Sequence, residues 1–463
     1  MKMYDLLPTR ENILETFYQD SLDRNNDIYM FTDILNSLET GCSIAIVGNW
    51  GSGKTFFVKQ TKLFLDANND YLRTMNDEDK SSIRSIWQST HRGKYPVCKN
   101  QVSVYYDAWE NDSDDDPILS LVYSILKSVD MDFQIPNNSG LILTAANILE
   151  FFSGKSWTKL IETFRGQDPL ENIRSSKAIE AEVNRFLDAL LEERGDRLVI
   201  FIDELDRCNP SYAVRLLERI KHYFSNDRIT FVFSINTNEL QHTIKKFYGN
   251  DFDACRYLDR FFDLRISIPP ANMNKFYRSI NFSQTRYYYD MTCHAVIQKH
   301  RFSIRETSRY VKLVKTAAYG ITHGNSPDCD LSFPAGKALR FCLQYIVPIV
   351  LGLKIADIAM CDRFLCGTDP SPLHDISQDL PSSFFEILLE QNESFDPTSD
   401  DQNTQTVTVK EKLDQVYDAL FNTEYSGSIY HVNIGQCSFT ANTAEELLRA
   451  SSLLSQYTDL EVE

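Results

Sequence analysis

Apolar residues recur at helical spacing near the start of the chain (Ile13, Leu14, Phe17; Ile28, Phe31, Ile34, Leu35, Leu38), which predicts two amphipathic helices across 12–38. The pattern then changes. Ser43 to Val47 is a short β-branched apolar run that leads straight into a glycine-rich loop and a helix reaching Leu65. Four more short apolar runs, at 101–106, 197–202, 229–235 and 264–268, alternate with helical segments. Continuous apolar runs of this length, separated by helices, predict buried parallel strands and an α/β fold. From 271 to 325 the periodicity is helical with frequent Tyr and Phe, and from 327 the chain stays mostly helical to Gln391. A polar stretch at 394–406 reads as an exposed linker. The chain closes on an alternating piece, 429–434, and a helix from Thr443.

Composition narrows the class. A chain of 463 residues with 43% hydrophobic and 24% charged residues has enough apolar content for a large core in two or three domains, which excludes disorder of the whole chain. The formal net charge of -18 opposes a general nucleic-acid-coating role. That charge is uneven. Nine Lys and Arg against Asp290 and Glu306 give 271–325 a balance of +7, while 326–463 holds 7 basic and 22 acidic residues. Ten cysteines without repeated spacing, and no secretory pattern in the first ten residues, predict a reduced, cytoplasmic protein. The apolar runs Leu141–Leu149 and Phe341–Leu353 fall short of the about 18 residues needed to cross a bilayer. Both are read as buried helices, with no integral membrane segment expected.

The chemistry starts at Gly48-Asn49-Trp50-Gly51-Ser52-Gly53-Lys54-Thr55, which fits G-x-x-x-x-G-K-[ST] between a strand and a helix. Glycines at this spacing let consecutive backbone N–H groups converge on a polyphosphate at a helix N-terminus. These eight residues and Phe56 are the predicted nucleotide contacts, with Lys54 reaching the β/γ-phosphates and Thr55 the Mg²⁺. About 150 residues on, the strand at 197–202 runs into two adjacent acids, Asp203 and Glu204. Asp203 would hold the Mg²⁺ through water and Glu204 would polarise the attacking water, the division of labour that phosphoryl transfer requires. A solvated turn is the alternative reading of the same pair.

Other positions carry weaker signals. Asn236 ends the next strand, where a sensor of the γ-phosphate would sit. The sequence there, Asn236-Thr237-Asn238-Glu239, lacks the lysine and aspartate of a guanine-reading Asn-Lys-x-Asp, so ATP is favoured over GTP. Arg260 could stabilise transition-state charge from a neighbouring subunit, or form a surface salt bridge with Asp259 or Asp263. Arg305 could reach the phosphates from the basic helical segment. Asp206 and Arg207 are read as a structural ion pair or as facing a subunit. The acids Asp107, Glu110, Asp112 and Asp114 to Asp116 could orient the site water, contact a basic neighbour, or form a solvated loop. In 271–325 the bases are interleaved with Tyr277, Tyr287, Tyr288, Tyr289, Tyr310 and Tyr319, which would suit a single-stranded nucleic acid unless the tyrosines form a helical core.

The loop GNWGSGKT, the segments VYYDAWEND, FIDELDRCNP and IKHYF, and the later FVFSIN and YLDRFFD occur in order across about 10–320. Together they resemble the KAP family of P-loop NTPases. The resemblance implies an ATPase of the additional-strand class, with a helical C-terminal part to the module and, in bacterial members, anti-phage defence settings. Many members carry transmembrane helices between the two nucleotide motifs, whereas 112–196 here holds only the short apolar run at 141–152. Asn236 also departs from the acidic residue expected at that strand end. The expected organisation is N-terminal helices (1–40) on a P-loop core (41–270) with a helical insert at about 113–195, a basic helical lid (271–325) and a mostly α, acidic accessory region (326–463). The expected activity is ATP- and Mg²⁺-dependent hydrolysis by a switch or machine within a homo-oligomer and protein assembly. A nucleotide-gated scaffold with little turnover, or an ATPase that engages nucleic acid through 271–325, are the competing readings.

Overall fold

A computed structural model describes residues 7–72, 75–90, 99–114, 116–128, 176–282, 287–323, 334–395, 405–421, 431–456 and 458. The apolar run at 141–152 and most of the predicted insert lie outside the described residues. The chain divides into two compact units, one spanning Leu7–Asn272 and the other formed mainly by Met273–Glu463.

In the first unit, helices α1 (Arg10–Gln19) and α2 (Asn25–Ser37) precede β1 (Cys42–Val47) and α3 (Lys54–Ala67). Then come α4 (Asp77–Thr90), β2 (Gln101–Asp107), α5 (Pro117–Ser128), α6 (Ser176–Arg194) and β3 (Arg197–Asp203). The unit closes with α7 (Pro210–Tyr223), β4 (Ile229–Ile235), α8 (Thr237–Tyr248), α9 (Ala254–Leu258) and β5 (Leu264–Ser267). All five predicted strands are present, and they form one parallel sheet in the order β2-β3-β4-β1-β5. β4 therefore lies between the strand that feeds the glycine loop and the strand that ends in the two acids.

Side chains alternate across a strand, and here the alternation feeds two cores. Leu198, Ile200 and Ile202 join Phe231 and Phe233 in one. Val199, Phe201 and Val232 join Ile44, Ile46 and the apolar face of α2 in the other. Burial on both faces explains why these strands read as continuous apolar runs rather than alternating ones. The predicted N-terminal helices do pack on this core, through contacts of α1 and α2 with α3.

The second unit is helical apart from short strand pairs. It contains α10 (Met273–Ser279), α11 (Tyr288–His300), α12 (Ile304–His323), α13 (Pro334–Phe341) and α14 (Val347–Ala356). The segment expected as a separate lid thus belongs to the same compact unit as the acidic C-terminal region. Pro334–Ala356 is long and apolar enough to cross a membrane, but every residue from Phe341 to Leu353 is buried within the protein. The chain accommodates Pro348, which lacks an N–H and crowds the carbonyl four residues back, by a π-helical turn at Cys342–Ile346. The polar stretch expected as a linker begins and ends on paired residues, Glu393 with Gln405 and Ser394 with Thr406, and Lys412 pairs with Glu393 at 2.5 Å. Its two ends therefore meet within one unit. The alternating piece forms an antiparallel hairpin, His431–Ile434 with Cys437–Thr440, and Thr440 caps the closing helix Ala441–Ser451.

Tyr277, Tyr289 and Tyr310 are buried, and the hydroxyls of the last two donate to the carbonyls of Val314 and Pro348. Three of the six tyrosines weighed as a stacking surface are therefore core. Where α11 and α14 pack, a Cβ on Gly352 would stand 2.3 Å from Cγ1 of Val296. Gly352→Ala is expected to destabilise the protein by about 1–3 kcal/mol through overpacking, read as a lower urea midpoint. A paired Val296→Ala should recover most of the loss.

Candidate functional site

β1 delivers the chain to Gly48, whose N–H donates to the Ile235 carbonyl at 3.2 Å and so ties the loop to β4. A Cβ at Gly48 would stand 2.7 Å from Cγ2 of Ile268 and 2.8 Å from Oγ of Ser52. Gly53, with φ of 88°, occupies the left-handed region and ends the loop at the first turn of α3. Ser52 Oγ is buried with no hydrogen-bond partner among the described residues. A buried hydroxyl without a partner calls for one, and the N-terminus of α3 beside it suits an anion. The residues present therefore fit the phosphates of a nucleotide.

Lys54 is 8% exposed, and its Nζ donates to the carbonyls of Gly48 at 2.8 Å and Asn49 at 3.1 Å. Burial pushes the ammonium pKa down, while Asp206, Asp203 and Glu204 pull it up. The loop is also held from below. Arg24, itself buried, donates Nη1 to the Ser52 carbonyl at 2.8 Å and Nη2 to the Pro269 carbonyl at 2.5 Å. Burial lowers its pKa to about 10.

The acids arrive by sheet register. Asp107 of β2 pairs with Asp203 of β3, and Asp203 with Ser234 of β4, so all three stand at the carboxyl-terminal end of the parallel strands. Asp203 is 1% exposed; its Oδ2 accepts from the Tyr105 hydroxyl at 3.0 Å and its Oδ1 from the Glu204 N–H at 3.0 Å. Glu204 adopts φ of 59°, a left-handed conformation that costs a non-glycine residue of order 1 kcal/mol or more and concentrates at functional sites. Its pKa is raised by burial and by Asp203, and opposed by Arg207, with which it forms an ion pair. Asp206 lies buried beyond it and accepts from the Trp50 indole N–H at 2.6 Å. Burial raises the Asp206 pKa, and the Trp50 bond and Lys54 counter that rise.

The remaining predicted residues fall in different places. Phe56 is buried, so its main chain rather than its ring is available to the loop. The Asn236 side chain accepts from the Asn238 N–H at 3.2 Å and caps α8. Neither expected salt bridge forms at Arg260: Asp259 pairs with Arg265, and Asp263 accepts from the Ser43 N–H at 2.8 Å. The Arg260 residue is exposed. Arg305 is exposed on α12, in the second unit. The acidic cluster is partly consumed locally, since Asp107 accepts from the N–H groups of Trp109 and Glu110, Asp112 from that of Asn209, and Asp116 pairs with Arg219 at 3.2 Å. Among the described residues no group of three or more His, Cys, Asp or Glu is arranged to hold a metal ion by itself.

The family profile of the KAP family P-loop domain matches residues 24–305, more than half of the chain. The chain belongs to the KAP family of P-loop NTPases. Its glycine loop and paired acids are thus parts of a nucleotide-binding P-loop domain, and the match continues past Met273 into the second unit. The chain is also similar to an uncharacterized protein of Methanocaldococcus jannaschii, with 33% identity over 85 residues. That similarity covers 18% of this chain and 44% of the relative.

Several residues of this KAP chain hold the site without having been singled out for it. Arg24 precedes α2 and shows no motif; only its burial beneath the loop reveals its part. Tyr105 sits inside a segment whose apolar character was the visible signal. Ser234, the register partner of Asp203, presents a buried hydroxyl with no partner among the described residues. Arg24→Met removes both carbonyl anchors, and the expected cost is about 2–4 kcal/mol of stability. Binding of a fluorescent ATP analogue should weaken in parallel; unchanged affinity would mean that the loop holds its shape without Arg24.

Proposed function

We propose that this chain is an ATP-hydrolysing KAP NTPase that acts as a switch or machine within a protein assembly. What carries the reading is one combination: a buried lysine closes the glycine loop after β1, and β3, one strand away in the same parallel sheet, runs into two adjacent carboxylates, one of them in a left-handed conformation. Lys54 would bind the β/γ-phosphates, with Gly48 to Thr55 and the Phe56 main chain around them. Thr55 and Asp203 would hold a Mg²⁺, which supplies charge neutralisation at the phosphates when bound. Glu204 would orient and polarise the attacking water. The absence of Asn-Lys-x-Asp at Asn236-Thr237-Asn238-Glu239 supports ATP over GTP. Asn236, which follows β4, is proposed as a further contact to the nucleotide.

The exposed Arg260, left without Asp259 or Asp263, supports a role in trans on a neighbouring copy's phosphates. Such a role requires a homo-oligomer. A cytoplasmic setting and a part in anti-phage defence belong to the same reading, on the strength of the family. The second reading is a nucleotide-gated scaffold with little turnover of its own. It is favoured by the ion pair that occupies Glu204 and by the acidic surplus of 326–463, which suits a basic protein partner. Engagement of nucleic acid through 271–325 has less support, because three of its tyrosines are core.

Steady-state turnover separates these. Wild-type protein should hydrolyse ATP in preference to GTP, Lys54→Ala should lose activity, and Glu204→Gln should lower kcat by roughly 10²–10⁴-fold while retaining bound ATP. Turnover unchanged in Glu204→Gln would remove that residue from the chemistry. ATP binding without turnover in the wild type would favour the scaffold.

A further inference from the structure

Arg207 stands three residues after Glu204, at the end of the 3₁₀ turn Leu205–Arg207. Its guanidinium carbon lies 5.5 Å from the ring centroid of Trp50 and 5.5 Å from that of Trp109. Trp50 belongs to the glycine loop, and Trp109 to the turn that follows β2. Both indoles are about half exposed, at 45% and 53%, an unusual position for such large apolar rings unless they serve a contact or a ligand. The guanidinium is also ion-paired to Oε2 of Glu204, and the indole N–H of Trp50 is fixed on Asp206 at 2.6 Å.

These contacts form a continuous chain from phosphate loop to carboxylate. A surface ion pair orients its partner poorly, but here the two side chains are only 25% and 19% exposed. Two aromatic faces within cation–π range restrict the guanidinium, and a restricted guanidinium restricts the carboxylate it holds. One face moves with the glycine loop, so a change in that loop reaches Glu204 through a single intermediate side chain.

We propose that Arg207 is a positioning residue for Glu204, held by Trp50 and Trp109, and that it couples the state of the glycine loop to the aim of the carboxylate. This rests on the reading of Glu204 as the group that orients water. In this role Arg207 acts on the carboxylate it contacts and is not itself a ligand of the nucleotide. It therefore acts on kcat more than on ATP affinity, and only through Glu204.

The test is a double-mutant cycle with kcat and KM resolved. Arg207→Gln should lower kcat by about 10–100-fold with KM changed less than about threefold. Arg207→Lys should recover part of the loss, and Trp109→Leu, at an exposed site that tolerates truncation, should fall between. In a Glu204→Gln background, Arg207→Gln should cause no further loss. Additive losses in the cycle, or a wild-type kcat in Arg207→Gln, would overturn the proposal.

A second readout needs no turnover. In a Trp87→Phe, Trp157→Phe background the emission comes from Trp50 and Trp109 alone. Glu204→Gln and Arg207→Gln should each shift that emission, because each disturbs the cation beside the indoles. If the wild type binds ATP without turning it over, the hydrolytic reading fails, and this spectrum alone judges the linkage. An unchanged spectrum in Glu204→Gln contradicts it.

Discussion

The first unit is organised around one buried cation. Lys54 sits at the start of α3 with its ammonium turned onto the carbonyls of Gly48 and Asn49, and with Asp203 and Asp206 supplying the opposing charge. A buried ammonium is tolerated only where carbonyls and carboxylates replace its water. Those carboxylates in turn require the sheet, because the register of β3 against β4 and of β4 against β1 brings Asp203 to the carboxyl-terminal end of the strands, where the loop begins. Arg24, through the Ser52 carbonyl, and Asp206, through the Trp50 indole N–H, fix the same loop at two points.

The charges around the site are coupled rather than separately paired. Asp107, Asp203, Glu204 and Asp206 crowd the carboxyl-terminal end of β2 and β3, and Asp107, Glu204 and Asp206 are pushed towards their neutral forms by burial. Lys54, Lys59 and Arg207 counter them without neutralising the group, with Lys59 lying 4.4 Å from the Tyr105 ring centroid. An excess of buried carboxylate at a phosphate site suits a divalent cation, which P-loop NTPases bind together with the nucleotide.

The parts that could be read from the sequence were those with a repeating or motif signal. Five apolar runs gave five strands, with ends displaced by a residue at most; β1 to β4 leave almost no polar interruption because they are largely buried, whereas the short β5 is mostly exposed and carries Arg265. The loop was legible because glycine spacing is a backbone requirement, visible at Gly48, Gly51 and Gly53. Contacts between distant segments left no such trace. Nothing local marks Arg24 as the anchor of a loop 28 residues away, and Arg207 and Trp109 are brought together by the pairing of β2 with β3 and by the bond from the Asn209 N–H to Asp112. At Asn236 the strand-end position was legible but the cap was not: its side-chain oxygen accepts from the Asn238 N–H, a use that any Asn at that position offers. The unity of the second unit was also hidden, since charge changes sign between 271–325 and 326–463 while packing joins them.

The central claim is that the Lys54 ammonium is reserved for a nucleotide's phosphates. The most direct measurement is a calorimetric titration of ATP into the wild-type chain and Lys54→Ala, in Mg²⁺ and at equal folded concentration. The account predicts one ATP bound per wild-type chain and none by the variant over the same range. Equal binding by the two proteins would contradict it.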